Sequence, residues 1–132
     1  MNKLFLIFNH TLTEDQEKEA KELLKVTQII PLPQHLQKLW SNIPPDKDLS
    51  SDLFFPITSY LLANKGEDKN YCLIQGDFGA MVYLVSWCFK HDFIPIYATT
   101  KRVAQEVIKP DGSVELIKVF KHERFRRYIL CI

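Results

Sequence analysis

Three short polar clusters in this chain hold residue types that perform acid–base and phosphate chemistry. They are Asn9-His10-Thr11, Gln75-Gly76-Asp77-Phe78-Gly79 and Thr99-Thr100-Lys101-Arg102. Each follows directly on an apolar run. A loop that only turns the chain has no need of amides, an imidazole, hydroxyls and two cations. His10 is the histidine best placed for proton transfer, because a strand is expected to end just before it. The competing reading is a surface loop histidine. Lys101 and Arg102 suit a phosphate clamp or the stabilisation of charge developing on phosphorus, against a solvated pair opening a strand. The middle cluster is a Gly-containing strand-to-helix turn, and free N–H groups with a positive helix end suit a phosphate. It is neither a Walker loop nor a dinucleotide fingerprint, since both glycine patterns fail. Asp77 reads as a helix cap or as a base or ribose-hydroxyl partner.

The elements that must position these clusters follow from hydrophobic period and punctuation. Residues 3–8 are continuously apolar, as in a strand covered on both faces. Thr13, with Gln16 three residues on and acids between, opens a helix ending near Val26. Residues 27–32 form a second strand and 34–40 a short helix with Leu36, Leu39 and Trp40 inward. Residues 48–64 are helical, with Pro56 marking a kink or break. Residues 70–74 are a third strand. Residues 80–91 are a helix apolar almost all round, hence deeply buried. Residues 93–98 are a fourth strand ending at Thr99. Asp111-Gly112 between two β-rich runs is a hairpin signal, and residues 121–132 form a last extended segment. There His122, Arg124, Arg126 and Tyr128 alternate and so share one strand face, over a ligand or along a guarded edge. His35 and His91 read as structural. The outcome is one α/β domain over 1–132, a mostly parallel sheet (core 1–101) with a C-terminal hairpin extension (102–132). In such sheets ligands sit outside the carboxyl ends of the strands, where all three clusters fall.

Composition sets the outer bounds. One hundred and thirty-two residues, 46% hydrophobic and 25% charged, make a single globular domain and exclude disorder. The apolar start imitates a signal peptide but lacks a small-residue cleavage site. The longest apolar stretch is too short to span a bilayer, so no membrane role is expected. Net charge is +1, yet residues 99–132 hold eight Lys/Arg against four Asp/Glu, while residues 1–98 hold nine against twelve. A basic quarter on a neutral protein makes a local anion-binding face, not a general nucleic-acid glue. Three cysteines without a framework point to a reducing, cytoplasmic setting, and four scattered histidines form no zinc pattern.

The runs LIQGDFGA, IPIYATTKR and VFKHERFRRY, with MNKLFLIFNHTLT at the front, resemble the small stand-alone CRISPR-associated proteins of the Csx-twenty type. The likeness runs in order over nearly the whole chain. It implies a Rossmann-like core akin to the CARF sensor fold and a homodimer. It also implies a ring nuclease that degrades cyclic oligoadenylates, chiefly cyclic tetra-adenylate, and so switches off type III CRISPR signalling. The matching motifs are Asn9-His10, Gln75 to Gly79 and Thr99 to Arg102, and the resemblance assigns no chemistry among them. From position, His10 is the leading proton-transfer residue, Lys101 stabilises phosphate charge, and Asp77 is a second candidate base. Asn9, Thr11, Gln75, Gly76, Phe78, Gly79, Thr99, Thr100 and Arg102 would bind the ligand, with His122, Arg124 and Arg126 beside them. RNA carries its own nucleophile, the 2′-hydroxyl, so neither metal nor cofactor is expected, and the product ends in a 2′,3′-cyclic phosphate. The alternative is a sensor that binds such a ring without cutting it. A general RNA-binding role is weaker, since no aromatic platform accompanies the near-zero charge. DNA is not an expected partner.

Overall fold

A computed structural model describes residues 1–131; Ile132, the end of the expected last segment, lies outside the described residues. The chain is a mixed α/β domain with a five-stranded, mostly parallel sheet flanked by helices. Its order is β2-β1-β3-β4-β5, from β1 (Asn2–Ile7), β2 (Val26–Pro31), β3 (Asn70–Ile74), β4 (Ile94–Ile108) and β5 (Val114–Arg127). The first four strands run parallel and β5 returns antiparallel to β4. Lys3 to Ile7 register with Asn70 to Ile74, putting the two most buried strands side by side at the centre.

Four helices close the crossovers: α1 (Glu14–Glu22), α2 (Gln34–Ser41), α3 (Ser51–Asn64) and α4 (Phe78–Lys90). Strand alternation splits the core in two. Phe5, Ile7, Cys72 and Ile74 pack under α2, α3 and α4, while Leu4, Leu6, Tyr71 and Leu73 pack on the face covered by Ala20 of α1. This split follows from handedness. The step from β1 to β2 and the step back from β2 to β3 run in opposite directions, so right-handed crossovers put their helices on opposite faces.

The capping box is built as the sequence dictates, Thr13 accepting from the Gln16 N–H and Gln16 from the Thr13 N–H. Helix α3 runs unbroken through Pro56, whose exposed position leaves the Asp52 carbonyl open to water. Asp111 accepts from Ser113, and Gly112 at φ 85° closes the hairpin turn. Both bonds from Ser113 hold the Asp111 carboxyl below its ordinary range.

Three expectations are overturned. The fourth strand does not end at Thr99 but runs to Ile108, so Thr99 to Arg102 lie inside a strand, and the division at residue 101 falls within it. Beyond the sheet, β4 and β5 continue alone as a two-stranded ribbon. Cross-strand bonds from β5 satisfy the backbone there, so no turn is required. Second, α4 is not deeply buried. Ala80, Leu84 and Cys88 face the sheet, while Phe78 and Val82 face outward, because only one layer covers the helix. Third, His122, Arg124, Arg126 and Tyr128 do not share a face. A bulge sets Thr99 opposite Arg124 and Thr100 opposite His122, leaving Glu123 as the extra residue. His122 turns to α1, while Tyr128 reaches the Ile74 carbonyl on the other side of the sheet. Burial, with Tyr97 beside it, pushes the Tyr128 hydroxyl above its ordinary value.

Cys72 and Cys88 are buried and Cys131 is exposed. Burial, with the Cys88 thiol alongside, pushes the Cys72 thiol well above its ordinary value. Thiol-specific reagent on the native protein should therefore label Cys131 alone at first, since the thiolate is the reactive form. Equal labelling rates for all three cysteines would contradict this burial.

Candidate functional site

The carboxyl ends of β1 and β3 and the point where β4 leaves the sheet lie along one edge. Ile7 registers with Ile74 and Leu73 with Ile96. Gln75 ties the three together: its N–H donates to the Ile7 carbonyl at 3.1 Å, and its side-chain Oε1 accepts from the Ala98 N–H at 2.9 Å. Two strand spacings, about 10 Å, separate β1 from β4 along this edge.

Helix α2 lies along this same edge. Gln37 donates to the Phe8 carbonyl (2.8 Å), the Trp40 indole N–H to the Gln75 carbonyl (2.9 Å), and the Ser41 hydroxyl to Asn9 Oδ1 (2.7 Å). The crevice between β1 and β3, the usual ligand seat in such a sheet, is thus filled by Trp40. Gly76 is glycine for that reason: a Cβ there would stand 2.7 Å from the indole nitrogen. At Gly79 a Cβ would meet Leu49 at 2.7 Å. These two glycines serve close packing at the head of α4. Asp77 caps the helix, accepting from the Ala80 N–H at 3.0 Å. Phe78 projects into solvent.

The open space on this edge lies on the other side of β1. A cavity of about 350 Å³ elsewhere is mostly apolar, but the one between the ends of β1 and β2 is about 530 Å³ and mixed. Asn9, His10 and Thr11 line it, with Gln34 and Gln37 from α2 and apolar walls from Phe8 and Ile29. His10 and Asn9 are exposed, and the His10 ring meets Phe8 edge-on at 6.2 Å. This volume and mixture suit a small planar ligand.

The cations of the third cluster sit at the base of the ribbon. Lys101 bridges to Glu123 at 3.2 Å, and Arg102 lies over the Phe120 ring at 5.2 Å. Thr100 is exposed, whereas the Thr99 hydroxyl donates to the Arg124 carbonyl at 2.9 Å. Arg126 stacks on Tyr97 at 4.9 Å, and Arg124 donates to the Phe125 carbonyl at 3.0 Å. His122 turns toward α1, and with Glu123 and Arg124 it lines a hollow against that helix. Its Nε2 donates to Glu19 of α1, both groups nearly buried, and its buried Nδ1 has no partner among the described residues. The Glu19 carboxylate also accepts from the Phe125 N–H through both oxygens (3.0 and 2.9 Å). Glu19 is thus the anchor of the bulge. Glu19→Ala should lower stability by about 3 kcal/mol, since it strands a buried imidazole and a buried N–H. Chemical denaturation checks this, and a loss under about 1 kcal/mol would show that the anchor is idle.

Sequence reasoning missed Trp40 and Ser41 as residues of this edge, and Glu19 as the anchor. Trp40 is visible as an inward residue of a short helix, but not that the helix lies across strand ends. Glu19 carried no signal, being one of several acids on an amphipathic helix.

The chain matches the family described as the Uncharacterized protein MJ1673 family over residues 2–126. It is 48% identical over 128 residues to the uncharacterized protein MJ1673 of Methanocaldococcus jannaschii, covering 97% of this chain and 98% of that protein. No solved structure matches. The chain belongs to the MJ1673 family.

Proposed function

We propose that this protein is a metal-independent ring nuclease of Rossmann-like, CARF-like type, acting as a homodimer in the cytoplasm on cyclic oligoadenylates, chiefly cyclic tetra-adenylate. The observation that carries the reading is the single edge shared by Asn9-His10, the head of α4 and the cations where β4 leaves the sheet. The mixed cavity beside His10 supports a purine seat, because the amides of Asn9, Gln34 and Gln37 are the groups that pair with adenine edges. In this reading the base enters the cavity and the sugar–phosphate lies along the edge toward Lys101. The ribose 2′-oxygen attacks the adjacent 3′-phosphorus as His10 takes its proton, the P–O5′ bond breaks with water protonating the leaving 5′-oxygen, and Lys101 offsets the charge on the phosphoryl oxygens. The products are a linear adenylate with a 2′,3′-cyclic phosphate and a 5′-hydroxyl. Asp77, occupied as a cap, is the weaker base.

Labelled cyclic tetra-adenylate incubated with the protein in excess chelator, followed by chromatography, tests this directly. Linear product should accumulate. A ring bound but intact would make the protein a sensor, and turnover only with added magnesium or manganese would end the metal-free mechanism. Lys101→Ala should weaken both binding and cleavage, since a cation facing phosphate helps ground and transition states alike. Glu123→Gln, which frees the same ammonium, should tighten binding; an unchanged affinity in both variants would remove Lys101 from the site.

A further inference from the structure

We propose that the uncharged outer face of α4, joined by residues 129–130, docks a second copy of this chain. The face is bare: Phe78 is 84% exposed, Val82 72%, Phe89 36%, Ile129 90% and Leu130 56%. These side chains leave on the order of 600 Å² of apolar surface in water, the upper limit of what a lone soluble domain shows. Buried against an equal patch, this makes about 1,200 Å², the threshold of a specific stable dimer. A two-fold contact sets a patch against itself, so any charge on it would meet its like. None of the residues lining the hollow at the patch's centre is charged, and Asp92 and Arg127 stand at the patch's border beside Phe89 and Ile129. Phe78, Val82 and Ile129 stand around this hollow of about 350 Å³ between α4 and the C-terminal segment, with Val85 in its wall. Phe78 follows the cap Asp77, so the docked copy stands against the edge that carries the candidate site. The inference stands on the apolar face alone and does not rest on the ring-nuclease reading.

Sedimentation velocity on the full chain at ~10 µM, without ligand, should show a dimer. Val82→Asp and Ile129→Asp, both at exposed positions, should each raise the dissociation constant roughly 100-fold or more while leaving the thermal melt of the fold in place. A wild-type protein monomeric at ~100 µM would overturn the proposal. So would variants as dimeric as wild type, or a dimer that Leu116→Asp on the ribbon abolishes and Val82→Asp does not. Ring binding measured on the same samples keeps the two readings apart. A dimer that ignores the ring loses the nuclease and keeps this interface, and a monomer that cleaves it keeps the nuclease but loses both this interface and the homodimer of that reading.

Discussion

His10→Ala is expected to slow single-turnover cleavage of cyclic tetra-adenylate by about 10²–10⁴-fold while leaving ring affinity within a small factor. The magnitude is that of one positioned proton-transfer group, with alignment of the 2′-hydroxyl left to the surrounding edge. The split between rate and affinity matters most. His10 is exposed and touches Phe8 through its ring edge, so its removal deletes little packing. Equal losses in binding and rate would make it a ligand contact. Cleavage at the wild-type rate would leave the backbone and the basic ribbon carrying the reaction.

The largest effect on stability is expected from Trp40→Ala, at about 3–5 kcal/mol. Trp40 is fully buried, packs edge-on to Phe54 at 6.5 Å, and donates to the Gln75 carbonyl. Its loss opens a cavity and strands a carbonyl just past the carboxyl end of β3, a large part of the ~5–15 kcal/mol such a domain possesses. Trp40→Phe keeps most of the ring and should cost only about 1–2 kcal/mol, the lost hydrogen bond. Gly76→Ala should fall between them, because the new methyl must push the indole aside. Guanidinium denaturation followed by far-UV circular dichroism ranks the three. A Trp40→Ala protein within about 1 kcal/mol of wild type would mean that α2 does not close the crevice.

How much of this was legible in the residues varies with the range of the force involved. The capping box at Thr13, the five-residue strand Asn70–Ile74 and the Asp111-Gly112 turn are local, and each is written in a few adjacent side chains. That the first two polar clusters follow strands at one edge was legible too, because alternation of strand and helix fixes which end of a parallel strand a loop follows. What was not legible depends on what lies next door. The apolar period of residues 80–91 states that α4 seeks cover on every side, but not that the chain covers only one. The run from Thr99 to Arg102 reads as a loop because polar β-formers at a sheet's end and in a free ribbon look alike. The bulge at Glu123 shifts a face by one residue and has no glycine to announce it.

The central pairing of the sheet has a consequence for synthesis. Leu4 to Ile7 are fully buried between β2 and β3, yet their register partners on β3 begin only at Tyr71. At about 5–20 residues per second the ribosome delivers that partner several seconds after the first strand emerges. For that interval the most apolar strand of the protein has one open edge, and the hairpin that pairs most locally is made last. The nascent chain is therefore at its stickiest early and must wait for β3 before its centre closes. Slowing translation between residues 30 and 70 should lower soluble yield, whereas slowing it after residue 100 should not.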